Sequence, residues 1–116
     1  MNYKLEDIQV AKQKAMLTSK IYIHDEDEFI DHELDENCFT GYFKLLARAI
    51  NNLQEKNIFV DEHSLVEFLI ENKCYRENIV IEVLATSNIP YSVFKHYEDG
   101  LKQDYLKTKL KGANNG

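Results

Sequence analysis

Residues Asn37 to Leu69 carry two apolar stripes at helical spacing with a stop between them, and this pattern constrains the fold more than any other feature. Phe39, Tyr42, Phe43, Leu46, Ala49, Ile50 and Leu53 recur at the three-four interval of a helix with one buried face. Asn57 ends that helix, because Asn tolerates the left-handed backbone that helix ends often need. Ile58, Phe59 and Val60 form a short extended link. Asp61 then accepts the free N–H groups of a second helix, whose apolar face is Leu65, Phe68 and Leu69. The result is a local helical hairpin that the remaining helices must cover.

The rest of the chain supplies those helices. Four glycines and one proline in 116 residues favour helix over a turn-rich β architecture. That length supports one domain with one core. A first helix over residues 4–19 places Leu5, Ile8, Ala11, Ala15 and Met16 near one face, with Lys, Gln, Asp and Glu opposite. Residues 24–37, HDEDEFIDHELDEN, hold eight carboxylates and no Lys or Arg. A short helix over 26–35 fits them, with Asp25 and Glu28 in capping-box register and Phe29, Ile30 and Leu34 as its apolar stripe. Residues 77–85 are β-branched enough for a strand, but no partner strand exists, so helix is preferred, with Val80, Val83 and Leu84 inward. Pro90 marks the clearest break. A last helix over about 93–111 follows, with Ser92 as its cap and Phe94, Tyr97, Leu101 and Tyr105 on one side. Gly100 weakens it by about 1 kcal/mol relative to Ala, and would permit a close helix contact. Residues 1–111 therefore read as one all-α bundle of five or six helices, and 112–116 as a flexible tail or the start of a linker.

The hairpin pattern resembles the N-terminal domain of DnaB-type replicative helicases. Phe39, Leu46, Leu53, Val60, Asp61, Ser64, Leu65 and Leu69 fall on that family's pattern without a gap, while Asn57 replaces the usual Gly, Phe59 a common Pro and Phe43 a common His. The resemblance extends over roughly residues 8–111, through Ala15-Met16-Leu17 in the first helix and Asn88, Tyr97 and Leu101 near the last. It implies a non-catalytic interaction domain of the DNA replication machinery, of the kind that forms a collar, associates with copies of itself and docks primase. The family shares much of its fold with the helicase-binding C-terminal domain of primases. This chain is therefore also readable as the primase side of that pair, or as a free-standing accessory or loader-like protein. The contact face does not carry over residue by residue. The last helix is its best place, at Phe94, Lys95, Glu98 and Lys102, with Tyr91 in the turn before it.

Other chemistries have weaker support. The phosphate-binding pattern G-x-x-x-x-G-K-[ST] is absent, so an ATPase motor is not expected in this chain, nor a cofactor. Glu28 and His32 are spaced to share a helix face with His24 and Asp31 nearby, but a metal needs three or four convergent ligands. The acidic run therefore reads as a solvated face, and failing that as a docking surface for a basic partner. His63, His96, Cys38 and Cys74 are the raw materials of a thiol–imidazole pair, yet neither Cys sits where a turn would expose it, and packing is the preferred role. A small enzyme or metal-dependent hydrolase is thus the rival class. The two cysteines, 36 residues apart, read as free thiols of a cytoplasmic protein. A net charge of −6 argues against wrapping nucleic acid. Lys95, Lys102, Lys107, Lys109 and Lys111 interleaved with Tyr91, Tyr97 and Tyr105 leave at most an indirect role there. Seven Tyr and six Phe are many for one small core and favour protein contact. No apolar run suits a leader or a membrane span.

Overall fold

The hairpin forms as its local signals dictate. The computed structural model describes residues 4–114. Helix α3 spans Gly41–Glu55 and α4 spans Glu62–Glu71. Asn57 takes φ 59°, and two backbone bonds close the end of α3: Asn57 N–H to Gln54 O at 3.0 Å and Ile58 N–H to Leu53 O at 2.9 Å. This is the paired closure of a Schellman motif. Asp61 caps α4 reciprocally with Ser64: Ser64 N–H donates to Asp61 Oδ1 at 2.8 Å, and Asp61 N–H donates to Ser64 Oγ at 2.9 Å. These bonds, the Ser64 backbone donor foremost, hold the Asp61 carboxyl below the usual range. Leu46, Ala49, Ile50, Leu53, Val60, Leu65 and Leu69 are buried between the two helices and their neighbours. Phe39 is also buried, but in extended backbone before α3 rather than on its face. A second Schellman closure ends α4, at a residue with no obvious signal. Lys73 has φ 58°, with Lys73 N–H to Ile70 O at 3.0 Å and Cys74 N–H to Leu69 O at 2.9 Å.

Helix α1, Leu5–Tyr22, departs from the expected one-faced helix. Leu5, Ile8 and Ala11 are exposed, while every residue from Ala15 to Ile21 is buried. The reason is position, since α1 packs against α3, α5 (Glu77–Leu84) and α6 (Tyr91–Asn114). A helix enclosed on several sides must bury its polar residues too, and each then needs a partner. Gln13 accepts from Thr40 N–H at 2.8 Å and donates to Thr40 Oγ1 at 3.2 Å. Ser19 Oγ accepts from Ile89 N–H at 2.8 Å. Lys20 donates from Nζ to the carbonyls of Phe29 and Ile30. Two connecting segments and the short helix over Asp27–Asp31 are thus pinned to one helix.

The acidic segment is less helical than expected. Helix α2 covers only Asp27–Asp31, His32 to Asp35 are extended, and Glu36–Cys38 form a 3-10 turn. Asp25 makes no cap, because Glu26 occupies that position without a side-chain bond. Asn51 explains the unwinding. Its side chain accepts from Leu34 N–H at 3.0 Å and donates to Leu34 O at 2.8 Å, drawing Leu34 into the core as extended chain. Phe29 and Leu34 are buried, and Ile30 is exposed.

Residues 77–84 are helical, with Val80 and Val83 buried and Leu84 half-buried. Helix α6 begins at Tyr91, two residues early, with Phe94 N–H donating to Pro90 O at 2.9 Å. Ser92 is therefore inside the first turn and cannot cap it. The helix runs to Asn114, past the expected end at 111, and the remainder of the expected tail lies outside the described residues. Gly100 makes no close approach, since a Cβ there would meet only Lys12 Nζ, at 3.9 Å. The whole is a bundle of six α-helices with one 3-10 turn and no strand among the described residues. None of those helices is long and apolar enough to cross a membrane.

Candidate protein-interaction site

Of the five residues proposed for contact on the last helix, two are interior. Phe94 is fully buried, edge-on to Phe29 at 5.3 Å and to His32 at 5.3 Å. Glu98, 1% exposed, lies on the same side of α6 one turn later. Burial of its carboxylate is offset by donors. His32 Nε2–H donates to Glu98 Oε2 at 2.7 Å, and Lys95 Nζ donates to Oε1 at 2.8 Å. Lys102 Nζ stands 3.8 Å from Glu98 Oε1 and 3.7 Å from Asp35 Oδ2. Burial alone would raise the Glu98 pKa, but the bonds and charges of Lys95 and His32 outweigh it and hold the carboxyl below its ordinary value. Tyr91, Lys95 and Lys102 are half-buried around this network. The seam locks α6 onto the acidic segment, leaving only the outer edges of those three side chains for a partner.

The seam resembles a relay. Tyr91 Oη lies 3.3 Å from His32 Nδ1, and His32 Nε2 reaches Glu98. In the neutral imidazole, with Nε2–H committed to the carboxylate, Nδ1 accepts from the Tyr91 hydroxyl; in the charged ring both nitrogens carry protons and Glu98 faces a cation. Glu28 and His32 border one shallow depression with Asp27, Asp31 and Tyr91, and His32 lies past the end of the Asp27–Asp31 helix rather than on its face. Among the described residues no three His, Cys, Asp or Glu side chains converge as metal ligands. Cys38 is buried, and burial first, then the charges of Asp35 and Glu98, push its thiol up to about 12. That is the opposite of nucleophile activation. The lysines of α6 form no open stacking stripe with its tyrosines. Lys95 and Lys102 serve Glu98, Lys12 sits 5.6 Å over the Tyr97 ring and Lys109 sits 5.9 Å over Tyr105.

No family model, no curated protein and no solved structure matches this chain. The site must therefore be judged on its own surface.

That surface has a second region, centred on the link between α3 and α4. Phe59 is 63% exposed, Ile58 43% and Ile30 45%. They border a groove of about 400 Å³ whose other walls include Ile23, His24 and Asp31. The link is not loose. His24 Nε2–H donates to Val60 O at 2.9 Å, its ring packs 4.4 Å from that of Phe59, and Ser64 Oγ donates to Phe59 O at 2.8 Å. Lys20 lies beneath, only 4% exposed, and desolvation lowers its pKa to about 8 despite the nearby charge of Asp31. The contact prediction on α6 overlooked this place. The available signal was an apolar pair, Ile58-Phe59, in a link too short to become a buried strand.

Proposed function

We propose that this chain is a non-catalytic interaction domain of the DNA replication machinery, similar in role to the helicase N-terminal collar that self-associates and docks primase. The observation that carries the reading is the hairpin itself. The residues that bear the resemblance take distinct structural parts: Asp61 and Ser64 the reciprocal cap, and Phe39, Leu46, Leu53, Val60, Leu65 and Leu69 the interior, while Asn57, in place of the usual Gly, takes the left-handed helix end. Support for a contact role comes from the large apolar side chains held rigidly at the hairpin's exposed link. Such pre-ordered apolar groups lose little freedom on binding.

The test is mass by light scattering of the purified chain, alone and mixed with the cognate helicase and primase. Self-association together with co-elution with primase is the expected result. Co-elution with the helicase instead would replace this reading with the primase-side or accessory one. A monomer that joins neither would overturn the replication assignment.

A further inference from the structure

We infer that the groove between α2 and the α3–α4 link receives a basic amphipathic segment of a partner protein, apolar on one face and rich in Lys and Arg on the other. The inference rests on the interaction-domain reading and names the chemistry of the partner.

Two independent features of the groove select this occupant. The first is apolar. Ile30, Ile58 and Phe59 stand out from opposite walls across a groove of about 400 Å³, enough for one or two large side chains. Phe59 is braced by His24 and by the hydrogen bonds on either side of it, so it presents a fixed anchor rather than a flexible one. Anchoring aromatics in fixed positions dominate the energetics of many interfaces.

The second feature is charge. The segment that forms this wall, residues 23–31, carries the exposed carboxylates Asp25, Glu26, Asp27, Glu28 and Asp31, of which Asp31 lines the groove itself and the other four flank it in sequence. None of the five is in an ion pair among the described residues. Among the described residues Lys20 is the only Lys or Arg lining the groove, and its ammonium is turned to the Phe29 and Ile30 carbonyls. An apolar slot beside an acidic wall is complementary to a segment whose apolar residues enter the slot while its cations face the wall. A second copy of this chain fits poorly here. A two-fold pairing would set the acidic wall against or beside its own image, and like charges so placed repel.

The probe is a fluorescein-labelled 18-residue Leu/Lys peptide designed as an amphipathic helix. The controls are the same composition scrambled to abolish the apolar face, and a Leu/Glu version. Anisotropy is read with the full chain, and amide shifts map the site. Saturable binding of the Leu/Lys peptide, with shifts at Ile23, Ile30, Ile58 and Phe59, is expected. Phe59→Ser, at an exposed position, is expected to weaken it about tenfold or more with the thermal midpoint unchanged. Neutralising Asp25, Glu26, Asp27 and Glu28 to Asn or Gln is expected to weaken it and flatten its salt dependence. Equal binding of the scrambled peptide, or indifference to Phe59→Ser, would overturn the inference. So would self-association that Phe59→Ser abolishes, which would make a second copy the occupant. Failure of the peptide with retained primase co-elution removes this inference and leaves the proposed function standing. Peptide binding by a chain that joins neither replication partner does the reverse.

Discussion

The α3–α4 hairpin and helix α1 are built on opposite principles. In the hairpin every determinant is within a few residues of what it acts on. Asn57 closes the helix just before it, Asp61 and Ser64 are three apart, and the apolar residues keep helical period. In α1 the determinants are polar and their partners are remote. Gln13 meets Thr40 27 residues away, and Ser19 meets Ile89 70 residues away. An amphipathic helix at the surface sorts its residues by face, whereas an enclosed helix sorts them by partner. Period-based reasoning therefore succeeds for the first and misassigns the second.

The sharpest way to break this comparison is to remove one apolar residue from the hairpin. Leu69 is fully buried, and Leu69→Ala is expected to cost about 2–5 kcal/mol, read as a drop in the denaturant midpoint with unchanged slope. A loss under 1 kcal/mol would mean that α4 is not integral to the core.

Lys20 tests α1 through pH. Its folded pKa near 8 lies below the unfolded value near 10.5, so between these limits the unfolded chain binds the extra proton. Stability must therefore rise with pH across that window, by on the order of 3 kcal/mol in full. The other titrating groups are shared with Lys20→Met. The difference in unfolding free energy between the two proteins from pH 7.5 to 10.5 isolates the lysine, and a flat difference would contradict the desolvation of its ammonium in the folded chain.

Gln13→Ala should leave the part-buried Thr40 N–H without its acceptor, at a cost of about 0.5–1.5 kcal/mol. Amide exchange distinguishes this from general loosening, because the Thr40 amide should lose protection before those of α4. Lys73→Gly gives the smallest effect and the opposite sign. Lys73 holds a left-handed backbone that costs a side-chain-bearing residue about 1–2 kcal/mol. Part of that gain is offset by the added freedom of glycine in the unfolded chain, so a net stabilisation of about 0.5–1 kcal/mol is expected in thermal unfolding.

Legibility in the sequence follows the same division. The all-helical bundle, the hairpin, its cap and the helical state of residues 77–84 were all readable, because caps, breaks and apolar period act locally. The shape of residues 24–40 was not. Their carboxylates suggested a capped helix, but Asn51 competes for the Leu34 backbone from another element. The candidate site was readable only in part. Phe94 has the apolar spacing of a surface stripe, yet it is the aromatic centre of the α2–α6 contact. Glu98, which has the composition of a solvated helix face, is buried because two donors, His32 and Lys95, bond its carboxylate and the Lys102 ammonium stands nearby. Phe59 and Val60 stand side by side in the same short link, yet one is exposed and the other buried, a difference that the apolar character of the link alone does not decide.

The two free cysteines turn this architecture into a clock. Cys74 is half-buried beside the end of α4, whereas Cys38 is sealed beneath α6 with its Sγ directed at the Glu98 carbonyl 3.5 Å away. An alkylating reagent at neutral pH therefore meets the two in sequence. The first adduct forms at Cys74 without any opening of α6, and the second only as often as α6 lifts from the 3-10 turn. The interval between two mass increments thus becomes a covalent record of how frequently the last helix leaves its seat, and of whether a bound partner holds it there.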